Sequence, residues 1–119
     1  MSRRSTAPIV REFGMAGHFC AAHHCRYHRH THVGRFCIST VGDYHPPLPS
    51  GMPTEKPQQV GSGRFFETMV FDLKKRRHRW HSLAMVPYQS VAKADAGHAR
   101  VVSDYVVKCN RAARKAKAR

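Results

Sequence analysis

A chain of 119 residues, 41% of them hydrophobic, fits a single domain with a modest core. Its 21 lysines and arginines against 7 acids give a formal charge of +14, a self-repulsion that a polyanionic partner relieves. No run approaches the ~20 apolar residues of a membrane span, and the start, MSRRSTAPIVREFG, lacks the apolar stretch of a secretory signal; a membrane partner and export are therefore set aside, and the four cysteines are expected as thiols or metal ligands.

Residues 1–14 carry Arg3, Arg4 and Arg11 with no sustained periodicity and read as a basic N-terminal arm. The stretch from Gly17 to Tyr44 then gathers three of the four cysteines and six of the ten histidines. Within it, residues 25–32 alternate. On a strand Cys25, Tyr27, Arg29 and Thr31 share one face, and Arg26, His28, His30 and His32 the other. Val33-Gly34 breaks the run, and RFCISTV (35–41) follows with strong β-formers. Two such runs around one glycine predict an antiparallel hairpin, closed by Gly42-Asp43.

Residues 45–63 hold five of the seven prolines and predict a long loop. RFFETMVFDL (64–73) is apolar on both faces apart from Glu67, the pattern of a central strand. If buried, Glu67 needs an arginine or histidine partner, expected from a neighbouring strand. The basic run KKRRHR (74–79) and the strand-like WHSLAMV (80–86) complete a second hairpin with a charged tip, ended by Pro87. Ser90 is an N-cap candidate. Beyond it Ala94, His98, Val101, Val102, Tyr105 and Cys109 recur at helical spacing, with Gly97 a weak point of about 1 kcal/mol against alanine. The expected fold class is α+β, a small antiparallel sheet of two hairpins with one C-terminal amphipathic helix packed on it. Residues 15–107 form the domain, and 108–119 a basic C-terminal tail, extended or frayed.

Three kinds of chemistry are open to these residues. A zinc ion takes about four cysteine or histidine ligands. Cys20, Cys25 and His28 offer three at short spacing, with Cys37 or His18 as a fourth. Strand alternation sets Cys25 against His28, which favours His18 with His28, while His28, His30 and His32 form a second, HxH-type geometry on one face. A Cys–His nucleophile is possible in composition, but no nucleophile signature is present. Phosphate binding draws on Lys74, Lys75, Arg76, Arg77 and Arg79 at the tip, and on Lys108, Arg111, Arg114, Lys115, Lys117 and Arg119 in the tail. Tyr27, Phe36, Phe65 and Trp80 are available for base stacking, though Phe36 and Phe65 serve a core equally well. No helix-turn-helix, RRM, KH or regular zinc-finger pattern occurs.

The blocks GHF (17–19), CRYH (25–28), ISTVGDY (38–44), FETMVF (66–71), Tyr88 and AGH (96–98) together resemble a family of small uncharacterised proteins of tailed bacteriophages and prophages. The likeness spans roughly residues 17–106, and the KKRRHR run and RAARKAKAR tail depart from it. It implies a setting in the host bacterial cytoplasm or the virion, and no particular activity. The expectation is a non-enzymatic accessory protein that binds nucleic acid or an acidic protein surface through its basic tip and tail. The alternatives are a zinc-binding protein or metal-dependent enzyme built on the His/Cys hairpin, and a virion structural or assembly component.

Overall fold

The alternating run that starts at Cys25 forms β2 (Cys25–Val33), and the β-rich run after it forms β3 (Phe36–Tyr44). The structure, a computed structural model, describes residues 10–13, 24–75, 77 and 82–117. Gly34 takes a left-handed φ of 57°, as a two-residue hairpin connection requires. Val33 then pairs with Phe36, and Cys25 with Tyr44. The second hairpin is β4 (Phe66–Asp72) with β5 (Ala84–Tyr88), Phe66 opposite Tyr88 and Val70 opposite Ala84. β3 pairs antiparallel with β4 and joins the two hairpins, as the two-faced apolar pattern of both strands requires. α1 (Val91–Lys117) packs on one face of the sheet.

Four local features differ from the sequence expectation. Val10–Phe13, within the basic arm, forms β1 and pairs with β2, giving a five-stranded sheet in the order β1-β2-β3-β4-β5. Its four residues are too short to show a period, and β2 supplies the ladder they complete. β3 runs through Gly42 because the ring of Phe66 lies where a Cβ at Gly42 would be, 2.0 Å from that position. The aromatic ring covers the glycine and restores the packing it lacks. Pro87 lies inside β5 rather than after it, which an edge strand tolerates because a missing N–H there need not break a ladder. Finally, α1 continues as helix to Lys117, where Arg114, Lys115 and Lys117 oppose the partial negative charge of its C-terminus.

The helix docks through two apolar patches with a polar seam between them. Towards its N-terminus, Ala94 packs against Phe66 and Tyr88. Towards its C-terminus, Val101, Val102, Tyr105, Val106 and Cys109 cover Val33, Phe36, Ile38 and Val70. Between them sits His98, fully buried. Its Nε2 lies 2.8 Å from the Thr31 hydroxyl and its Nδ1 2.5 Å from that of Thr40, which in turn meets Thr68 at 2.6 Å. Thr31, Thr40 and Thr68 come from three adjacent strands, so one side chain of the helix registers it against half the sheet. Burial, then the nearby Arg29 charge, depress the imidazole to about 4, so it is neutral at ordinary pH. Gly97 is explained at the same contact: a Cβ there would fall 2.0 Å from the Tyr88 ring. Ser90 caps the helix, its Oγ accepting from the Lys93 amide at 3.2 Å.

The proline-rich stretch is an ordered loop. His45, 4% exposed, reaches the Thr54 carbonyl through Nδ1 and Asp43 through Nε2, both at 2.7 Å. Val60 packs on Cys25 and Val41, and Arg64 holds the buried Glu67 at 2.8 Å. The partner Glu67 needs thus comes from the lead-in to its own strand.

Candidate metal centre and basic groove

On β2 the side chains of His30 and His32, two residues apart, project to the same face of the sheet. The hairpin register sets Cys37 directly across from His32. The consequence is a convergence of three ligand atoms. His30 Nε2 lies 2.9 Å from Cys37 Sγ and 2.9 Å from His32 Nε2, and the three atoms fall within 4.8 Å of one another. Cys37 is buried and the two rings are half-buried. Burial pushes the Cys37 thiol up to about 11 and holds His32 below the ordinary histidine value, so both groups are neutral at pH 7 without a metal.

The other nominated ligands are placed differently. Cys25 packs against Val41, Tyr44 and Val60, outside the trio. Asp43, flanking its cross-strand partner Tyr44, has a φ of 52°, so regular alternation does not hold at that end of the hairpin. Burial first, then the carboxylates of Glu67 and Asp43, push the Cys25 thiol up to about 12. A thiol held so far from its thiolate is a poor nucleophile, which removes the chemical basis for a Cys–His nucleophile at Cys25. His28 is paired with Val41, further along the strand, and is not among the converging atoms. His18 and Cys20 lie outside the described residues. The signal for His30 and His32 was present as the HxH pattern; the partner Cys37 is selected only by the hairpin register.

The basic segments meet at one end of the sheet. Asp72 closes β4 opposite Phe36 and is gripped by Arg35, Nε to Oδ1 and Nη2 to Oδ2, each at 2.8 Å. This pair holds the Asp72 carboxyl below its ordinary range. Asp72 also accepts the Lys74 amide at 3.0 Å, so it anchors the start of the basic tip. The C-terminal half of α1 passes the same end. Lys108 sits with its ammonium 5.3 Å from the ring centres of both Phe36 and Tyr105. Arg35, Lys74 and Lys108 thereby border an open groove of about 360 Å³ floored by Phe36, Cys109 and Ala112. Beyond it Arg111, Arg114, Lys115 and Lys117 are exposed along a stretch of helix with no acidic residue after Asp104. Lys75 and Arg77 are exposed at the tip; Arg76, Arg79 and Arg119 lie outside the described residues.

The aromatic candidates for stacking are mostly committed elsewhere. Tyr27 donates to Asp95 at 2.5 Å and meets Phe66 edge-on, Phe36 is buried against Tyr105, and Phe65 is half-buried near Phe66. Trp80 lies outside the described residues.

Among the described residues, fold and site together define a small α+β domain, a five-stranded antiparallel sheet with one helix, carrying a His/Cys trio and a basic end. No protein-family model, curated protein sequence or solved structure matches this chain. No helix among the described residues is long and apolar enough to cross a membrane.

Proposed function

We propose that this chain is a non-enzymatic nucleic-acid-binding accessory protein that contacts the phosphate backbone without reading sequence. The observation that supports this reading is the meeting of two basic segments, 34 residues apart between Lys74 and Lys108, on either side of one groove. Phosphates spaced along a strand meet cations from the tip, the groove and the exposed helix end in succession. Such contacts set affinity and orientation but carry no base information, which accords with the absence of a base-reading motif in the sequence and with the packing roles of Tyr27, Phe36 and Phe65. The resemblance to phage and prophage proteins suggests the setting, the infected bacterial cytoplasm or the particle.

The test is binding to a duplex and a single strand of arbitrary sequence across a salt series. Log affinity falls linearly with log salt, by about 0.9 per phosphate neutralised on duplex DNA. Replacing Arg111, Arg114, Lys115 and Lys117 by glutamine shallows that slope by about 2–4, since these positions lie outside the core. Binding that ignores salt, or none at low salt, overturns the reading. Binding to an acidic protein but to neither nucleic acid also overturns it.

A further inference from the structure

We propose that His30, His32 and Cys37 form a zinc site on the face of the sheet opposite α1. This site is independent of the basic groove and stands or falls without it.

The geometry carries the inference. In a tetrahedral zinc site with Zn–N near 2.0–2.1 Å and Zn–S near 2.3 Å, nitrogen ligands lie about 3.3 Å apart, and nitrogen and sulfur about 3.5 Å apart. The Nε2–Nε2 and Nε2–Sγ separations are both 2.9 Å. These two separations are at the scale of one coordination shell, each about half an ångström short of it, and the third, from Cys37 Sγ to His32 Nε2, is no more than 4.8 Å. All three sit on the two nine-residue strands of one hairpin, not on loops, so the ladder holds them in position before an ion arrives.

The donor set decides the ion. One thiolate and two imidazoles suit zinc and its borderline-soft neighbours, and not magnesium or calcium, which demand oxygen. Arg11 stands across from His32 on β1, but it is exposed, so its repulsion of the ion is screened by solvent. Binding displaces the Cys37 proton, and the thiolate lowers the charge of the ion it receives. The described residues supply three ligands, and a tetrahedral ion takes its fourth from outside the trio.

This set differs from the one that spacing along the chain suggests, because Cys25 and His28 are left out. The experiment uses that difference. The untagged full chain is stripped with chelator under reducing conditions and titrated with Co²⁺. One equivalent is expected to raise a thiolate-to-cobalt charge-transfer band, which one equivalent of Zn²⁺ then abolishes. Cys37→Ser and His30→Ala are expected to weaken Co²⁺ binding at least ~10-fold, since even outer-shell changes cost that much; Cys25→Ser leaves it within about twofold. In the unmodified protein, Zn²⁺ is expected to shift the Nε2 resonances of His30 and His32 and leave that of His45 in place, a readout that needs no variant to fold. A folded wild-type chain that shows neither the band nor the shifts overturns the site. So does a band that survives Cys37→Ser at full affinity or is lost in folded Cys25→Ser.

Discussion

Acid should undo this fold through His98 before it reaches the carboxylates. The imidazole is fully buried, and burial followed by the Arg29 charge depresses it to about 4 from an ordinary 6.5, while Glu12 and Asp95 act weakly in the opposite sense and His30 adds to the depression. Its folded value lies below its unfolded one, so the unfolded chain binds the extra proton first. Stability is therefore complete above about pH 6.5 and declines as pH falls towards 4. The gap corresponds to roughly 3 kcal/mol, against a total of about 6–18 kcal/mol for a domain of this size. The hydrogen bonds do not set this penalty, because Thr31 and Thr40 can accept from both nitrogens of the charged ring. Desolvation of the charge sets it. Urea denaturation at half-unit steps from pH 7.5 to 4.5 should show the wild type losing stability with an excess slope of up to ~1.4 kcal/mol per pH unit over His98→Gln, which keeps two polar groups and does not titrate. The His98 ring resonances should stay in the neutral form throughout. Parallel stability curves for the two proteins, or a His98 titration near 6.5 in the folded state, would refute the reasoning.

Gly97→Ala sets propensity against packing. Propensity alone promises about 1 kcal/mol of added stability, but the new methyl meets the Tyr88 ring, and a net loss of about 1–3 kcal/mol is expected in thermal or urea denaturation. Thr40→Val removes the hydroxyl that both His98 and Thr68 use, with an expected cost of about 2–3 kcal/mol at pH 7 by the same assay. Arg35→Gln acts on a lower pH window. The pair holds Asp72 below its ordinary 3.8, so its stabilisation is present above that value and is lost as pH falls through the depressed one. The stabilities of wild type and variant, distinct at pH 6, should converge as pH drops below 3.8 and through the depressed Asp72 value.

Much of this protein is legible as local pattern. Alternation along 25–32 and 35–41, the two-faced apolar run at 64–73 and the helical spacing from Ala94 to Cys109 each depend on neighbours within a few residues, and each run holds the expected element. That Glu67, if buried, needs a basic partner also followed from its place in an apolar face, but the partner is Arg64 in the lead-in to its own strand and not a residue of a neighbouring strand. What failed were features that a distant segment supplies. Val10–Phe13 is a strand only because β2 offers an edge, and Pro87 lies within a strand only because β5 is the outermost one.

The functional candidates divide the same way. Composition and spacing nominated histidines, cysteines and basic runs, since charge and ligand chemistry reside in the residue itself. Which of them meet is a property of register and docking. The pairing of His32 with Cys37 chooses the trio, and a shift of one residue in that ladder would carry Cys37 to the other face. Likewise Lys74 and Lys108 border one groove because the buried His98 sets α1 along the sheet so that its basic end passes the end of β4 and the β2–β3 turn. Side-chain type is written along the chain, whereas proximity between residues far apart in it exists only once strands pair and the helix docks.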